Sequence, residues 1–272
     1  AVINRIFLEH TRELGDTLTA IAEDKSHVIT GEQKCVYFAE QEPEVLEILQ
    51  RRAETLHIPY KIYGRDFHAE NIRYTCFGMQ FDVEIGDNIY ADLQIPLLGE
   101  HQAKNCALAL AVCVDVLSDL RRESAVFSLP DIRKNLSLLH WPGRMEVLRS
   151  KPFVLLDACI NATSCENVKE VLRHLGVWNC TVIVGIPEDK DYAGVVRSMK
   201  GMANRIILTR SGNPHYHFSQ KQQESLAEED IGTIWTDSVK QALTLAGSCP
   251  DPIVILGTTS VISEVEQIFQ QS

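Results

Sequence analysis

The chain lacks the two glycine-rich loops that most often bind nucleotide phosphates. None of its 272 residues belongs to a G-x-x-x-x-G-K-[ST] loop or to a G-x-G-x-x-G fingerprint. No serine, histidine and aspartate stand out as a nucleophilic triad either. The commonest nucleotide-binding and hydrolase motifs therefore assign no function to this sequence.

Cysteine pairs, signal peptides and long apolar runs are also missing. The chain has eight cysteines, but no two of them form a C-x-x-C pair. This spacing argues against a zinc site and against a secreted disulfide framework. We expect reduced thiols in a cytoplasmic protein. No apolar stretch is long enough to predict a membrane span.

An excess of positive charge is absent as well. The 26 lysines and arginines are outnumbered by 37 aspartates and glutamates, for a net charge of -11. Since nothing concentrates basic residues, we expect neither nucleic acid nor a membrane surface as a partner. The content of 45% hydrophobic and 23% charged residues is typical of a soluble globular chain of one large or two ordinary domains.

The first 140 residues mix several kinds of predicted element. Capping residues and apolar spacing predict helices from Asp16 or Thr17 to Glu23 and from Pro43 to about Thr55. The other predictions are strands at 1–8, 35–38 and 60–63, antiparallel β structure over 72–95, and helices at 103–120 and 129–139. We place a domain boundary in the loop at residues 140–144.

The remainder of the chain alternates short apolar strands with helices. The predicted strands are 153–157, 180–185, 205–209 and 252–257, and the predicted helices are 165–175, 193–201 and 239–246. This alternation predicts a mostly parallel sheet covered on both faces, in an α/β domain. Ligands bind such sheets at the carboxyl ends of the strands. That rule points to Asp157 and to residues 185–191, 209–210 and 257–260.

Three groups of polar residues could carry chemistry, and each also has a simpler structural explanation. Asp157, followed by Asn161, Thr163 and Ser164, could bind a ribose or orient a phosphate; alternatively, an aspartate with a threonine or serine could cap the next helix. Lys190 could meet a carboxylate or phosphate, or it could lie in a solvated loop. His10, near Lys25 and several carboxylates, could ligate a metal, although lone histidines are seldom ligands.

Six segments taken together resemble the folylpolyglutamate synthases, which include bifunctional dihydrofolate synthases, within the Mur ligase superfamily. In this chain the segments are residues 7–18, 21–25, 99–105, 142–146, 189–192 and 257–265. They are similar to the family patterns LDHxxxLGDTL, IAxEK, GxHQxxNA, PGRME, DKDY and GSLYLVGEV. Their order and their distances along the chain match the family.

The resemblance implies an ATP- and Mg²⁺-dependent ligase. Such an enzyme adds L-glutamate to a folate through an acyl phosphate, and catalysis depends on positioning and on neutralising phosphate charge. The implied architecture is the later part of a Mur ligase-type α/β ATPase domain at residues 1–140. A Rossmann-like glutamate ligase domain follows at residues 141–272. The implied enzyme is a cytoplasmic monomer of one-carbon metabolism.

The resemblance also implies roles for individual residues. The implied metal ligands are His10 and a carbamylated Lys25. The implied nucleotide-binding residues are Asn105, Arg144, Asp157 and Asn161. The implied catalytic residues are Lys25, Arg144 and Lys190, of which Lys190 meets the incoming glutamate.

Two departures from the family pattern bear on activity. Where the family has DGAHNP, residues 157–162 read DACINA, so Ile160 replaces a histidine and can neither donate a hydrogen bond nor carry charge. The phosphate-binding loop and the acidic metal ligand expected upstream of Ala1 are not in the chain. We therefore expect this chain alone to be inactive. The alternatives are a Mur-type ligase for a non-folate carboxylate and a non-catalytic nucleotide-binding relative.

Overall fold

The computed structural model describes residues 1–8, 14–75, 78–120, 128–229 and 231–271, without the side chains of residues 119 and 120. They form two compact units, which are described separately below. Unit 1 comprises residues 1–96 and 100–139, and unit 2 comprises residues 97–99 and 140–272. The assignment of ATPase and ligase roles to the two parts of the chain stays a prediction.

Unit 1 contains a parallel sheet in the order β1-β2-β3 that packs against two helices. The elements are β1 (Val2–Ile3), α1 (Leu18–Ser26), β2 (Val36–Phe38), α2 (Pro43–Thr55) and β3 (Tyr60–Ile62). Helix α1 begins after Thr17, whose hydroxyl accepts the Ala20 N–H, and α2 begins at Pro43 as predicted. Ile21, Phe38 and Leu49 are fully buried in the core between these elements.

The first strand is shorter than predicted. β1 ends at Ile3, although the apolar pattern favoured a strand to residue 8. The Gln41 side chain accepts the Ile6 N–H and donates to the Asn4 carbonyl, so it takes the place of a neighbouring strand. A side chain that satisfies backbone groups in this way competes with a ladder, and hydropathy does not reveal it.

A second sheet of unit 1 is antiparallel, in the order β4-β5-β6, as predicted for residues 72–95. It comprises β4 (Phe67–Thr75), β5 (Gly78–Ile85) and β6 (Asn88–Ile95), and it packs against α3 (Glu100–Leu120) and α4 (Leu129–Leu136). The side chains of Phe67, Phe81 and Val83 are buried, whereas alternate residues form the outer face. Small buried residues of α3, Ala103 and Ala107 among them, give that helix a face for close packing.

Unit 2 is built on a six-stranded sheet in the order β11-β10-β9-β12-β8-β7. All its strands are parallel except the edge strand β7, as expected for the predicted class. The strands are β7 (Glu146–Ser150), β8 (Phe153–Asp157), β9 (Cys180–Gly185), β10 (Ala203–Thr209), β11 (Ile234–Thr236) and β12 (Ile253–Gly257). Strands β9 and β12 are buried throughout. The predicted α/β class is thus confirmed.

Five helices cover this sheet in the described part of unit 2. They are α5 (Ala162–His174), α6 (Tyr192–Met199), α7 (Lys221–Glu228), α8 (Val239–Ala246) and α9 (Thr259–Gln270). Helices α7 and α9 were not predicted from the sequence. Helix α7 is mostly polar, and α9 contains Val261, Ile262 and Val265, whose β-branched side chains favour strands. The short edge strands β7 and β11 were not predicted either. Among the described residues, no helix is both long and apolar enough to cross a membrane.

Candidate functional site

A groove in unit 1 brings Lys25 to the carboxyl end of β1. The groove has a volume of about 500 Å³ and is lined by residues 2–7 together with Asp24, Lys25 and Val28. Helix α1 begins at Leu18, so Lys25 lies in its last turn and is half-buried. A carboxylate, a lysine and the backbone after a parallel strand are suited to a phosphate with its cation. His10 lies outside the described residues.

Asn105 lies near the start of α3, on the side of the helix that faces away from the core. It is exposed, whereas Gln102 in the same motif is buried and its side-chain nitrogen lies 3.0 Å from His101 Nε2. The adjacent Lys104 pairs with Glu40 at 2.6 Å. Asn105 is therefore open to a ligand, as a base-contacting residue must be. Its role stays a prediction.

Asp157 lies at the carboxyl end of β8 and is 6% exposed. Burial raises the pKa of its carboxyl from 3.8 to about 6. Hydrogen bonds from the backbone N–H groups of Met145 and Cys159, and the charge of Arg144, lower the pKa and so oppose this effect. The Met145 bond is 2.9 Å long. The carboxylate that the strand-end rule selected is thus directed at the backbone of residue 145.

A tight turn over residues 142–146 holds Arg144 between two anchored peptide groups. The Glu146 carboxylate accepts the Gly143 N–H at 2.8 Å, and Asp157 accepts the N–H of Met145. Gly143 and Met145 both have positive φ, at 64° and 50°. A Cβ at Gly143 would lie 2.6 Å from the Ile262 side chain, so only glycine fits there. The backbone on both sides of Arg144 is fixed while its side chain is exposed.

The residues after β8 and β9 cap two helices. Asn161 accepts the Ser164 N–H at 2.8 Å and is the N-cap of α5. The capping alternative had assigned the cap to an aspartate with a threonine or serine, whereas Asp157 accepts the Met145 N–H instead. Asp191 caps α6 through the Gly194 N–H and also accepts the Ala162 N–H, each at 2.9 Å. One carboxylate therefore joins the starts of two helices.

Lys190 precedes this cap. Its ammonium lies 3.3 Å from the Asp189 carboxylate, and its side chain is 28% exposed. Asp189 therefore restrains the Lys190 side chain, which is still accessible to a second anion. Whether it meets a substrate carboxylate stays a prediction.

The same edge of the sheet holds buried hydroxyls, those of Ser211 and Thr258 among them. Gly257 pairs with Gly185, and the hydroxyl of Thr258 next to them is buried without a hydrogen-bond partner. Ser211, after β10, has the same property and lines a cavity of about 410 Å³ together with Arg210, Asn213 and Glu264. The strand-end rule had pointed to residues 257–260, which include Thr258, and to residues 209–210, which directly precede Ser211.

Comparison with known families identifies part of the chain. A sequence profile of the Mur ligase middle domain matches residues 1–113. Folylpolyglutamate synthase from Lacticaseibacillus casei is 26% identical over 268 residues, which cover 98% of this chain and 61% of that protein. Dihydrofolate synthase/folylpolyglutamate synthase from Bacillus subtilis is 24% identical over 271 residues, with 98% and 61% covered. The chain thus spans about three fifths of the length of these relatives.

Solved structures of folylpolyglutamate synthases share the fold of this chain. Folylpolyglutamate synthase from Mycobacterium tuberculosis, complexed with ADP and AMPPCP, superposes with a TM-score of 0.88 at 22% identity. That match covers 100% of this chain and 64% of the other. A folylpolyglutamate synthase complex with AMPPCP and folate gives a TM-score of 0.77 at 26% identity, covering 98% and 60%.

Proposed function

We propose that the chain is part of an enzyme of the folylpolyglutamate synthase family in the Mur ligase superfamily, because residues 1–113 match the Mur ligase middle domain and 98% of the chain is similar to folylpolyglutamate synthases. That enzyme is an ATP-dependent ligase that joins L-glutamate to the carboxylate of a folate. ATP phosphorylates the carboxylate, and the glutamate amine then displaces phosphate from the acyl phosphate. It acts as a monomer in the cytoplasm.

One observation carries this proposal. The similarity extends over 98% of the chain to a synthase whose complex holds both an ATP analogue and folate. The two functional regions of that enzyme class, a nucleotide side and an amino-acid side, correspond in this proposal to unit 1 and unit 2. Both units retain polar residues at the carboxyl ends of their parallel strands, where ligands of α/β sheets bind.

On the nucleotide side, Lys25 is the central residue of the proposal. It lines the groove after β1 beside Asp24, a setting that fits a phosphate and its Mg²⁺. A carbamylated Lys25 and His10 would hold the metal ion, which would neutralise phosphate charge. Asn105 would contact the adenine.

In unit 2, some residues would contact a ligand, and others would hold those residues in position. Arg144 would reach the phosphates, since its side chain is exposed and its backbone is anchored on both sides. Asp157 acts on the nucleotide through this turn, because its buried carboxylate holds Met145. Asn161 shapes the start of α5, and Lys190 would receive the carboxylate of the incoming glutamate.

Nucleotide titration and turnover of the intact enzyme test the proposal together. We expect ATP binding, and ADP release that requires both L-glutamate and tetrahydrofolate. Arg144→Ala should weaken ATP binding, while Arg173→Ala, a change of an exposed arginine on α5, should not. Tight ATP binding without turnover would favour a non-catalytic relative, as the Ile160 substitution allows. Turnover with a different carboxylate would favour another Mur-type ligase.

A further inference from the structure

The outer face of the antiparallel sheet in unit 1 gathers one histidine and two glutamates. His68 and Glu70 are two residues apart on β4, so their side chains leave the same face of the sheet. Glu84 on β5 is the direct cross-strand partner of His68. The neighbouring residues of opposite orientation, Phe67 and Val83, are buried in the core. The backbone that carries the three polar side chains is therefore held by the sheet and by its packed inner face.

The ligand atoms of these side chains converge on one point. Nε2 of His68 lies 3.5 Å from a carboxylate oxygen of Glu84 and 3.9 Å from one of Glu70. All three donor atoms lie within 4.8 Å of one another. In a tetrahedral zinc site with bonds near 2.0–2.1 Å, adjacent ligand atoms are about 3.3 Å apart. Rotation of the glutamate side chains about their own bonds would move the carboxylate oxygens by the roughly 0.2–1.5 Å that this geometry needs.

Negative charge is concentrated on this face, where Asp82 lies beside Glu70 and Glu84 on the paired strands. In the described part of the chain, His68 is the sole ion-pair partner of Glu70 and of Glu84. Glu70 also faces Asp82 directly across the strands, a like-charged pair that destabilises a sheet. Asp82 is compensated by donors from Asn71 and from the Asp92 backbone, each at 2.7 Å. Among the residues that the structure describes, none gives Glu70 or Glu84 a comparable hydrogen bond.

We propose that His68, Glu70 and Glu84 form a binding site for a divalent transition-metal ion, with Zn²⁺ as the best match. An imidazole with two carboxylates suits zinc, cobalt or nickel, whereas Mg²⁺ and Ca²⁺ prefer oxygen ligands alone. The side chains are 35%, 37% and 34% exposed, so the ion can enter and water completes its coordination. A bound cation relieves the repulsion between Glu70, Glu84 and Asp82. The site belongs to the sheet of unit 1 and does not depend on the proposed ligase activity.

Metal titration of the whole chain tests this site. Isothermal titration with ZnCl₂, and visible absorption with CoCl₂, should show a site that requires both His68 and Glu84. His68→Gln and Glu84→Gln should each weaken Zn²⁺ binding by about tenfold or more, since loss of even an outer-sphere partner costs about 10–100-fold. His57→Asn is the matched control, because His57 is exposed on the same unit and asparagine tolerates its positive φ. This control should bind as tightly as the parent.

The outcomes separate a built site from accidental binding. Four-coordinate Co²⁺ absorption that is lost in both variants, at unchanged unfolding temperature, supports the site. Zinc binding that persists in His68→Gln and Glu84→Gln overturns it and assigns the ion to other side chains. Binding of Mg²⁺ as tight as that of Zn²⁺ also overturns it, because the imidazole would then contribute nothing.

Discussion

The buried carboxylate of Asp157 accepts a 2.9 Å hydrogen bond from the backbone N–H of Met145. Together with the bond from Gly143 to Glu146, it fixes the turn that presents Arg144. Asp157 therefore serves the site from within the core of unit 2. Because Asp157 acts through the turn, a change at this residue should alter the stability of unit 2 and the pH dependence of that stability before it alters ligand affinity.

Asp157→Asn should remove a pH dependence of unfolding. The folded-state pKa of Asp157 is raised from 3.8 to about 6, so its contribution to stability is present below pH 4 and is lost as the pH rises to 6. The shift of about two pH units corresponds to about 3 kcal/mol. Asparagine keeps an acceptor for Met145 but cannot ionise. The difference in unfolding free energy between parent and variant, measured by urea titration from pH 4 to 7, should shift by about this amount.

If the unfolding free energies of the parent and of Asp157→Asn change in parallel from pH 4 to 7, Asp157 does not titrate in that range. Glu188→Gln, a change in the exposed loop after β9, is the control. Its curve should follow that of the parent throughout.

Asp191→Ala should destabilise unit 2 by about 2 kcal/mol. The variant loses the N-cap of α6 and the bond to Ala162, and each such interaction contributes about 1 kcal/mol. Asp189→Ala removes a carboxylate two residues away that caps neither helix and should cost less than 0.5 kcal/mol. Chemical denaturation measures both. Equal costs for the two variants would show that the double cap contributes nothing specific.

Gly143→Ala should destabilise the chain by about 2 kcal/mol. Alanine is strained at a φ of 64°, and its Cβ would lie 2.6 Å from the Ile262 side chain. In an Ile262→Ala background, where that contact is gone, the same change should cost less. A double-mutant cycle of unfolding free energies measures the difference. Additive costs would mean that backbone strain alone excludes a side chain at residue 143.

Lys25→Met should lower kcat of the intact enzyme about 100-fold or more, since it would remove the carbamate that is proposed to hold the metal ion, and that ion neutralises phosphate charge. Lys34→Met, a change of an exposed lysine of unit 1, should leave kcat unchanged. Steady-state rates of ADP release measure both. A Lys25→Met enzyme with the parent kcat would remove Lys25 from the proposed nucleotide site.

Sequence patterns located most strands and helices of unit 2, since continuous apolar strands that alternate with helices have few other solutions. The bounds of β8, β9 and α8 are the same as the predicted ones. Polar or strongly β-branched segments were missed, namely α7 and α9. The early end of β1 was also missed, because it depends on one side chain, Gln41, whose position only the folded chain reveals.

The candidate site was predictable in its residues but not in their roles. The strand-end rule and the family motifs both selected Asp157, and yet its carboxylate is directed at the Met145 backbone. The cap of α5 was assigned to an aspartate with a threonine or serine as the alternative to ligand binding, whereas the structure shows Asn161 as the cap. Hydrogen-bond partners of this kind depend on turns with positive φ, such as residues 143 and 145, that a single sequence does not specify.

Mass spectrometry of the reaction product tests the central proposal most directly. The intact enzyme is incubated with ATP, Mg²⁺, L-glutamate and tetrahydrofolate, and the folate is then examined for added glutamyl residues. The proposal predicts a folate extended by glutamate, with one ADP formed for each glutamate added and none formed without folate. An unmodified folate, or ADP formed equally well without folate or glutamate, would contradict it.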